Sequence, residues 1–345
     1  MRGIALVGDR KVAWVEVPDP APGPNEVVIA VRASGLCGSD LHGYRAPAGP
    51  AGPAGLRCIA GHEPAGEVVA LGEGAASWQV AVGQRVMVHH YAGCNICDYC
   101  RTGWTQMCPQ LRLFGTDLNG GHAPYMVVPA STLVSLPDPL SYAAGAAISC
   151  GTGTAWGALQ RLGELAGSTL IVFGQGPVGL SATMLAAALG VRVIAVDITD
   201  SRLARARELG AAATVNSATE NLQEAILELT QGRGAAAAME TSGAGVAATG
   251  AMATVAPWGR VCFVGIGRDE VKFSVAELIR RQLSMSLSWS MSIVQQRACA
   301  KFIAERGLPI DTIFSHQWSL DQADEAYAEF DRQSAGKGVF VFPES

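Results

Sequence analysis

Short runs rich in apolar residues, separated by polar and turn-forming segments, occupy the first third of the chain. They lie at residues 12–15, 27–31, 68–71 and 83–88, and prolines and glycines separate them. Runs of this length bounded by turn residues are typical of β-strands. Several such strands joined by Gly/Pro turns favour an irregular antiparallel barrel. A Pro/Gly/Ala-rich segment at residues 45–56 interrupts the pattern, and we expect it to form a surface loop.

A continuous apolar stretch at residues 169–173 leads into a glycine-rich segment, and an Ala/Leu-rich stretch follows. A strand, a G-x-G-x-x-G segment and a helix in this order form a dinucleotide-binding unit. The glycines let the backbone approach the pyrophosphate, which lies on the N-terminus of the helix. The residues predicted to contact the dinucleotide are Gly174, Gly176, Pro177, Val178 and Gly179.

The next apolar run, residues 191–196, ends at Asp197. A carboxylate about 20 residues after the glycines accepts hydrogen bonds from the adenosine ribose hydroxyls and repels a 2′-phosphate. We therefore expect NAD(H) to be preferred over NADP(H). Arg202, further along the chain, could stack on the adenine or weaken that preference.

Three later runs extend the predicted architecture. Residues 235–240 and 259–265 are apolar and end in glycine-rich loops, so they read as further strands of a parallel sheet. Residues 283–292 alternate serine with large apolar residues. That alternation has the period of a β-strand, and it predicts a strand that extends to residue 292.

Length and composition restrict the class of protein. A chain of 345 residues is long for one hydrophobic core, so two domains are expected. With 49% hydrophobic and 16% charged residues, it reads as a compact globular protein. The net charge of −5 and the lack of a Lys/Arg run argue against nucleic acid or a membrane as partner. Charges at residues 9–11 oppose a signal peptide, so a cytoplasmic location is expected.

Nine cysteines, an odd number in tight groups, favour metal binding over disulfides. Four of them follow the spacing C-x2-C-x2-C-x7-C: Cys94, Cys97, Cys100 and Cys108. Four thiolates can close a tetrahedral structural zinc site. Short C-x2-C-x2-C runs also bind iron–sulfur clusters, and Pro109 after the last cysteine suits that alternative.

A second group of possible metal ligands lies between residues 37 and 63. Cys37 and His62 offer a thiolate and an imidazole, which suit a zinc ion. Four polar residues accompany them: Ser39, Asp40, His42 and Glu63. A catalytic zinc site needs three protein ligands and an open position, so a third ligand is expected from elsewhere in the chain.

The two segments read Gly35-Leu36-Cys37-Gly38-Ser39-Asp40-Leu41-His42 and Gly61-His62-Glu63-Pro64-Ala65-Gly66-Glu67-Val68. They resemble the G-x-C-G-S-D-x-H and G-H-E-x-x-G-x-V motifs of the zinc-dependent medium-chain alcohol dehydrogenase superfamily, and the resemblance covers essentially the whole chain. It implies an α/β protein with a GroES-like irregular β-barrel catalytic domain and a doubly wound, parallel-sheet Rossmann domain. The implied boundaries are residues 1–155 with a structural zinc lobe at 94–108, residues 156–293, and a return to the catalytic domain at 294–345.

The resemblance also implies roles for individual residues. Cys150 would be the third ligand of a catalytic zinc, with Cys37 and His62, and the four-cysteine lobe would hold a second, structural zinc. Ser39 would take the proton of the substrate hydroxyl and His42 would relay it to solvent. Asp40 would orient His62, and Glu63 would bind the zinc transiently. The further residues implied to contact the cofactor are Thr154, Gly265 and Ile266.

The implied function is a zinc-dependent interconversion of an alcohol (a secondary alcohol, polyol or related compound) and its aldehyde or ketone, with hydride transfer to NAD(H). The alternative on the same fold is a biosynthetic reductase of a larger aldehyde, imine or conjugated C=C substrate. A homodimer or homotetramer is expected, with the strand at residues 283–292 at the dimer interface. The sequence assigns no role to His89, His90 or His122.

Overall fold

The computed structural model describes residues 1–49, 58–332 and 336–343. Most of the predicted loop at residues 45–56 therefore lies outside the described residues. The chain divides into two compact units. The first, here called the barrel unit, contains Met1–Gly153 and Ser292–Ser345; the second, the nucleotide unit, contains Thr154–Met291.

The structure contains both types of element that the sequence pattern predicts, strands and helices. The strands are β1 (Arg2–Gly8), β2 (Lys11–Glu16), β3 (Glu26–Gly35), β4 (Glu63–Leu71), β5 (Arg85–Val88), β6 (Tyr91–Ala92), β7 (Arg112–Leu113), β8 (Tyr125–Pro129), β9 (Leu133–Ser135), β10 (Thr169–Phe173), β11 (Arg192–Asp197), β12 (Ala213–Asn216), β13 (Ala235–Glu240), β14 (Val255–Phe263), β15 (Ser284–Leu287), β16 (Phe314–Trp318) and β17 (Lys337–Val341). The helices are α1 (Asp40–Arg45), α2 (Asp98–Arg101), α3 (Tyr142–Ile148), α4 (Gly151–Leu162), α5 (Pro177–Ala188), α6 (Asp200–Glu208), α7 (Leu222–Leu229), α8 (Gly245–Thr254), α9 (Val275–Arg280), α10 (Ile293–Arg306) and α11 (Ala323–Asp331).

The barrel unit is built on a seven-stranded sheet in the order β16-β17-β3-β4-β5-β9, with β8 also paired to β3. All pairs are antiparallel except β16 with β17. The inward-facing residues of β3, β4, β5 and β8 form one core, which includes Val27, Ile29, Val68, Val86 and Met126. Because β17 pairs with β3, residues 337–341 belong to the same sheet as strands from the first 135 residues.

The nucleotide unit contains a six-stranded sheet in the order β12-β11-β10-β13-β14-β15, and every pair is parallel. Its central strand β10 is apolar along almost its whole length, as expected for a strand covered on both faces. Strands β11 and β12 lie on one side of β10, and β13 to β15 lie on the other, so the direction in which successive strands are added reverses at β10. In such sheets ligands bind at this switch point, outside the carboxyl ends of the strands.

The prediction of a strand extending to residue 292 is wrong in its second half, because β15 ends at Leu287. Ser290 has a left-handed backbone, with φ of 58°, which breaks the extended conformation. Ser292 then caps α10: its side chain accepts from the backbone N–H of Gln295, and the Gln295 side chain accepts from the N–H of Ser292. The Ser-x-x-Gln capping box competed with the alternating pattern for these residues.

Within the described residues, no helix is both long and apolar enough to cross a membrane.

Candidate active site

The register of β3 and β4 brings the two motifs of the first segment together. Gly35, at the end of β3, pairs with Glu63, at the start of β4. Cys37 follows β3 by two residues, and His62 directly precedes β4. Cys150 lies between α3 and α4. One ligand atom from each of Cys37, His62, Glu63 and Cys150 lies within 4.8 Å of the others.

The two thiols of this group lie within hydrogen-bond distance of each other. The Sγ atoms of Cys37 and Cys150 lie 3.9 Å apart. The hydrogen bond from Cys150 lowers the pKa of Cys37 well below its ordinary value, and the same bond raises the pKa of Cys150. A thiolate next to a second sulfur and an imidazole is the donor set that zinc takes in catalytic sites. The residues present therefore fit a zinc ion.

Asp40 fixes the orientation of the His62 ring. Its Oδ1 lies 3.0 Å from Nδ1 of His62, and its Oδ2 accepts the backbone N–H of Cys37 at 2.9 Å. Burial alone would lower the pKa of His62, but Asp40 and Cys37 raise it well above its ordinary value. Because a carboxylate on Nδ1 leaves Nε2 as the ligand atom, Asp40 selects the tautomer that binds metal.

Ser39 and His42 lie on the exposed side of the same segment. The Oγ of Ser39 is 3.4 Å from Nε2 of His62, the atom left free for a metal. Both residues are exposed. Within the described chain, their side chains are not hydrogen-bonded to each other, and the bond between them joins the N–H of His42 to the Ser39 carbonyl at 3.2 Å. A proton relay between them would need an intervening hydroxyl or water.

The sequence reasoning missed Lys337, the first residue of β17. Its ammonium forms an ion pair with Oε2 of Glu63 and donates to the carbonyl of Leu36 at 3.0 Å. Both charged side chains are buried, at 1% and 0% exposed. Burial raises the pKa of Glu63 against the opposing effect of Lys337. Burial would lower the pKa of Lys337, but the charges of Glu63, Cys37 and Cys150 together outweigh it and the pKa is raised. The sequence signal that could have revealed this residue is a lysine at the start of an otherwise apolar strand, where a charged residue needs a partner.

The four-cysteine lobe gathers around α2. One Sγ from each of Cys94, Cys97, Cys100 and Cys108 lies within 4.8 Å of the others. Backbone N–H groups of residues 96 and 97 lower the pKa of Cys94 to about 6. All nine cysteines of the sequence are described and all are free thiols. The lobe thus presents four sulfurs and no open position, which fits a closed structural zinc site.

Three histidines without an assigned role are buried in the barrel unit. His122 bonds Ser34 through Nδ1 and Tyr327 through Nε2, each at 2.9 Å. His89 bonds Gln296 at 2.9 Å. Burial lowers the pKa of both histidines to about 4. The ring of His90 lies beside that of His62, with the centroids 5.1 Å apart.

The glycine-rich segment forms the turn from β10 to α5. Gly176 is the residue before the helix, and Pro177 and Val178 form its first turn. A β-carbon on Gly179 would lie 1.8 Å from the carbonyl oxygen of Gly174, so only glycine fits this contact between helix and strand. The turn lies at the carboxyl end of β10, where the sheet reverses its order.

Asp197, the last residue of β11, is held beside this turn. Its Oδ2 accepts the N–H of Gln175 at 2.6 Å, and its Oδ1 accepts the N–H of Ile198 and of Thr199 at 2.8 and 3.0 Å. Nη1 of Arg202 is 3.9 Å from Oδ2. The carboxylate is thus fixed at the edge of the glycine turn, with the guanidinium of Arg202 next to it.

The last three predicted cofactor residues are placed as follows. Thr154 lies in the first turn of α4 and is half-buried. Gly265 follows β14, and a β-carbon there would lie 2.1 Å from the backbone nitrogen of Gly243, so the loops after β13 and β14 pack tightly. Ile266 is 72% exposed in that loop.

Comparison with known proteins decides the family. Residues 23–138 match the alcohol dehydrogenase GroES-like domain, and residues 177–305 match the zinc-binding dehydrogenase family. The chain is 40% identical to an uncharacterised zinc-type alcohol dehydrogenase-like protein of Escherichia coli K12, over 98% of each chain. It belongs to the zinc-binding alcohol dehydrogenase family.

Two other relatives are similar over most of their length. The sorbitol dehydrogenase of Halalkalibacterium halodurans is 30% identical, covering 93% of this chain and 92% of that protein. The solved alcohol dehydrogenase of Thermus sp. ATN1 superposes with a TM-score of 0.90 at 30% identity, covering 99% of both chains.

These matches confirm the predicted superfamily and fold class. As a member of the zinc-binding alcohol dehydrogenase family, the chain is an oxidoreductase that interconverts an alcohol and its carbonyl compound. Its substrate is accordingly a small molecule.

Proposed function

We propose that this alcohol dehydrogenase family member oxidises a secondary alcohol or polyol with NAD⁺, and that the barrel unit carries its catalytic centre. The observation that carries the proposal is the convergence of Cys37, His62, Glu63 and Cys150, whose ligand atoms lie within 4.8 Å of one another. The similarity to a sorbitol dehydrogenase supports a polyol among the substrate classes.

Cys37, His62 and Cys150 would hold the catalytic zinc, which supplies a Lewis acid for the substrate oxygen. Asp40 keeps Nε2 of His62 available through its 3.0 Å contact with Nδ1. The Oγ of Ser39 lies 3.4 Å from that Nε2, close enough to the centre to accept the hydroxyl proton of a substrate. His42, exposed one helical turn later, would pass that proton on through water.

A second zinc would be bound by the four-cysteine lobe, which gives two zinc ions per chain. Four sulfurs without a vacant position suit a structural ion, and the lobe lacks the histidine and carboxylate of the first group. We assign the lobe to stability and not to chemistry. Nine free thiols also suit the reducing cytoplasm, which we propose as the compartment.

NAD(H) is the proposed cofactor, bound at the turn between β10 and α5. The pyrophosphate would contact the glycine turn at the N-terminus of α5. Asp197 offers an anionic acceptor for ribose hydroxyls beside that turn and would repel the phosphate of NADP(H). The tight packing of Gly265 against Gly243 would shape the loops on which the nicotinamide half lies.

A second copy of the chain is the proposed partner at the free edge of the nucleotide unit. Strand β15 is the last in its sheet, and its Met285 and Leu287 are 40% and 78% exposed. Phe273, Val275 and Ile279 add further exposed apolar surface in and before α9. No strand of the described residues lies on the outer side of β15, and an edge of this kind with apolar side chains favours strand pairing with a symmetric copy.

The test is reduction of NAD⁺ and NADP⁺ with primary alcohols, secondary alcohols, diols and sugar alcohols, before and after removal of metal by a chelator. We expect turnover with NAD⁺ that the chelator abolishes and zinc restores. A protein that holds two zinc ions and binds NADH but oxidises none of these alcohols would contradict the proposal.

A further inference from the structure

His90 lies beside the candidate zinc ligands without being arranged as one of them. It follows β5 and its ring centroid is 5.1 Å from that of His62. Its Nδ1 is 2.8 Å from the carbonyl oxygen of Ser149, the residue before Cys150. The ring is therefore held between two of the ligand segments. Its nitrogens do not belong to the group of ligand atoms that lie within 4.8 Å of one another.

The contact with Ser149 determines which nitrogen of His90 carries the proton. A carbonyl oxygen can only accept, so Nδ1–H donates and Nε2 keeps its lone pair. Across the part of the chain that the structure describes, that Nε2 has no hydrogen-bond donor. It also differs from Nε2 of His89, which is fully enclosed and unpartnered. His90 thus offers an acceptor without a partner among the described residues, in a side chain that is 3% exposed.

An acceptor held in a nearly buried position calls for a donor, because a buried polar group without a partner is costly. We propose that Nε2 of His90 accepts a hydrogen bond from a second hydroxyl of the substrate, next to the carbon that is oxidised. The enzyme would then favour vicinal diols and polyols over monohydric alcohols of the same size. This inference rests on the proposed function, since it assumes that an alcohol is oxidised at Cys37, His62 and Cys150.

The experiment compares two alcohols that differ by one hydroxyl, 2,3-butanediol and 2-butanol. The ratio of their kcat/KM values is measured with NAD⁺ for the zinc-loaded wild-type protein, His90→Phe and His90→Gln. Phenylalanine keeps a ring of similar shape but lacks the acceptor, whereas glutamine restores a neutral acceptor oxygen. A ratio taken on one preparation does not depend on the fraction of folded protein.

We expect the wild-type protein to prefer the diol and His90→Phe to lower the ratio about tenfold, the effect of one lost hydrogen bond. Glutamine should recover part of it. The matched control is His89→Gln, which changes the neighbouring histidine, bonded to Gln296, and should leave the ratio unaltered. An equal ratio in wild type and His90→Phe would overturn the inference while leaving the proposed function intact. A wild-type protein that oxidises neither alcohol would instead overturn the proposed function and the inference with it.

Discussion

Replacing Lys337 with methionine would leave the carboxylate of Glu63 buried without its cation. The two side chains are 1% and 0% exposed, so water cannot take the place of the lost ammonium. The carbonyl of Leu36 would lose its 3.0 Å hydrogen bond as well. Removing one partner of a buried ion pair typically costs about 3–5 kcal/mol. At 1.36 kcal/mol per factor of ten, that lowers the ratio of folded to unfolded protein by roughly two to four orders of magnitude.

The double variant Lys337→Met with Glu63→Gln provides the decisive comparison. Because the charge is removed together with its partner, most of the lost stability should return. Lys337→Arg is the matched control that keeps a cation, although the guanidinium needs more room.

The measurement is urea unfolding of the zinc-loaded protein, with the slope compared among variants to verify that the same surface is exposed. A chain with two units can unfold in two steps, so the transition of the barrel unit is followed separately. Lys337→Met within about 1 kcal/mol of wild type, with no recovery in the double variant, would refute the ion-pair reasoning.

Four further outcomes follow from the site. Ser39→Ala should lower kcat for alcohol oxidation by about 100-fold with zinc content and NADH binding unchanged; equal turnover would remove Ser39 from proton transfer. Asp197→Asn should lower the NAD⁺ to NADP⁺ ratio of kcat/KM about tenfold, measured by initial rates, and an unaltered ratio would contradict its ribose role. Cys97→Ser should cost one zinc per chain by elemental analysis, whereas Cys58→Ser should cost none. Burial holds the pKa of His122 at about 4, below its value of about 6.5 in the unfolded chain. The free energy of unfolding should therefore fall as the pH drops from about 6.5 to about 4. His122→Phe should make that fall smaller, as measured by unfolding curves at several acid pH values.

Local motifs in the sequence predicted most of the fold and pointed to the residues that converge in the two candidate ligand groups. The spacing of Cys94, Cys97, Cys100 and Cys108 reflects a lobe closed within one short segment, so its geometry is encoded locally. The glycine turn at 174–179 is equally local, since it needs only a strand, a tight turn and a helix in succession.

The contacts that the sequence did not predict join distant parts of the chain. Lys337 and Glu63 meet only because β17 pairs with one side of β3 and β4 with the other, and no local pattern records that order. The end of β15 was misjudged for the opposite reason. Two local signals, an alternating strand pattern and a capping box at Ser292, overlap at the end of this segment. The strand ends at Leu287, and Ser292 caps the helix that begins at Ile293.

The position of β17 beside β3 also determines when the barrel unit can form during synthesis. Residues 154–291 make a complete unit and can fold as soon as they leave the ribosome. The first 153 residues cannot follow that schedule, because the edge of β3 near Gly35 stays unpaired until residues 337–341 have been made. Until then Glu63 also lacks its cation. The nucleotide unit should therefore fold first, and the candidate zinc centre should be completed only after residues 337–341 have been made.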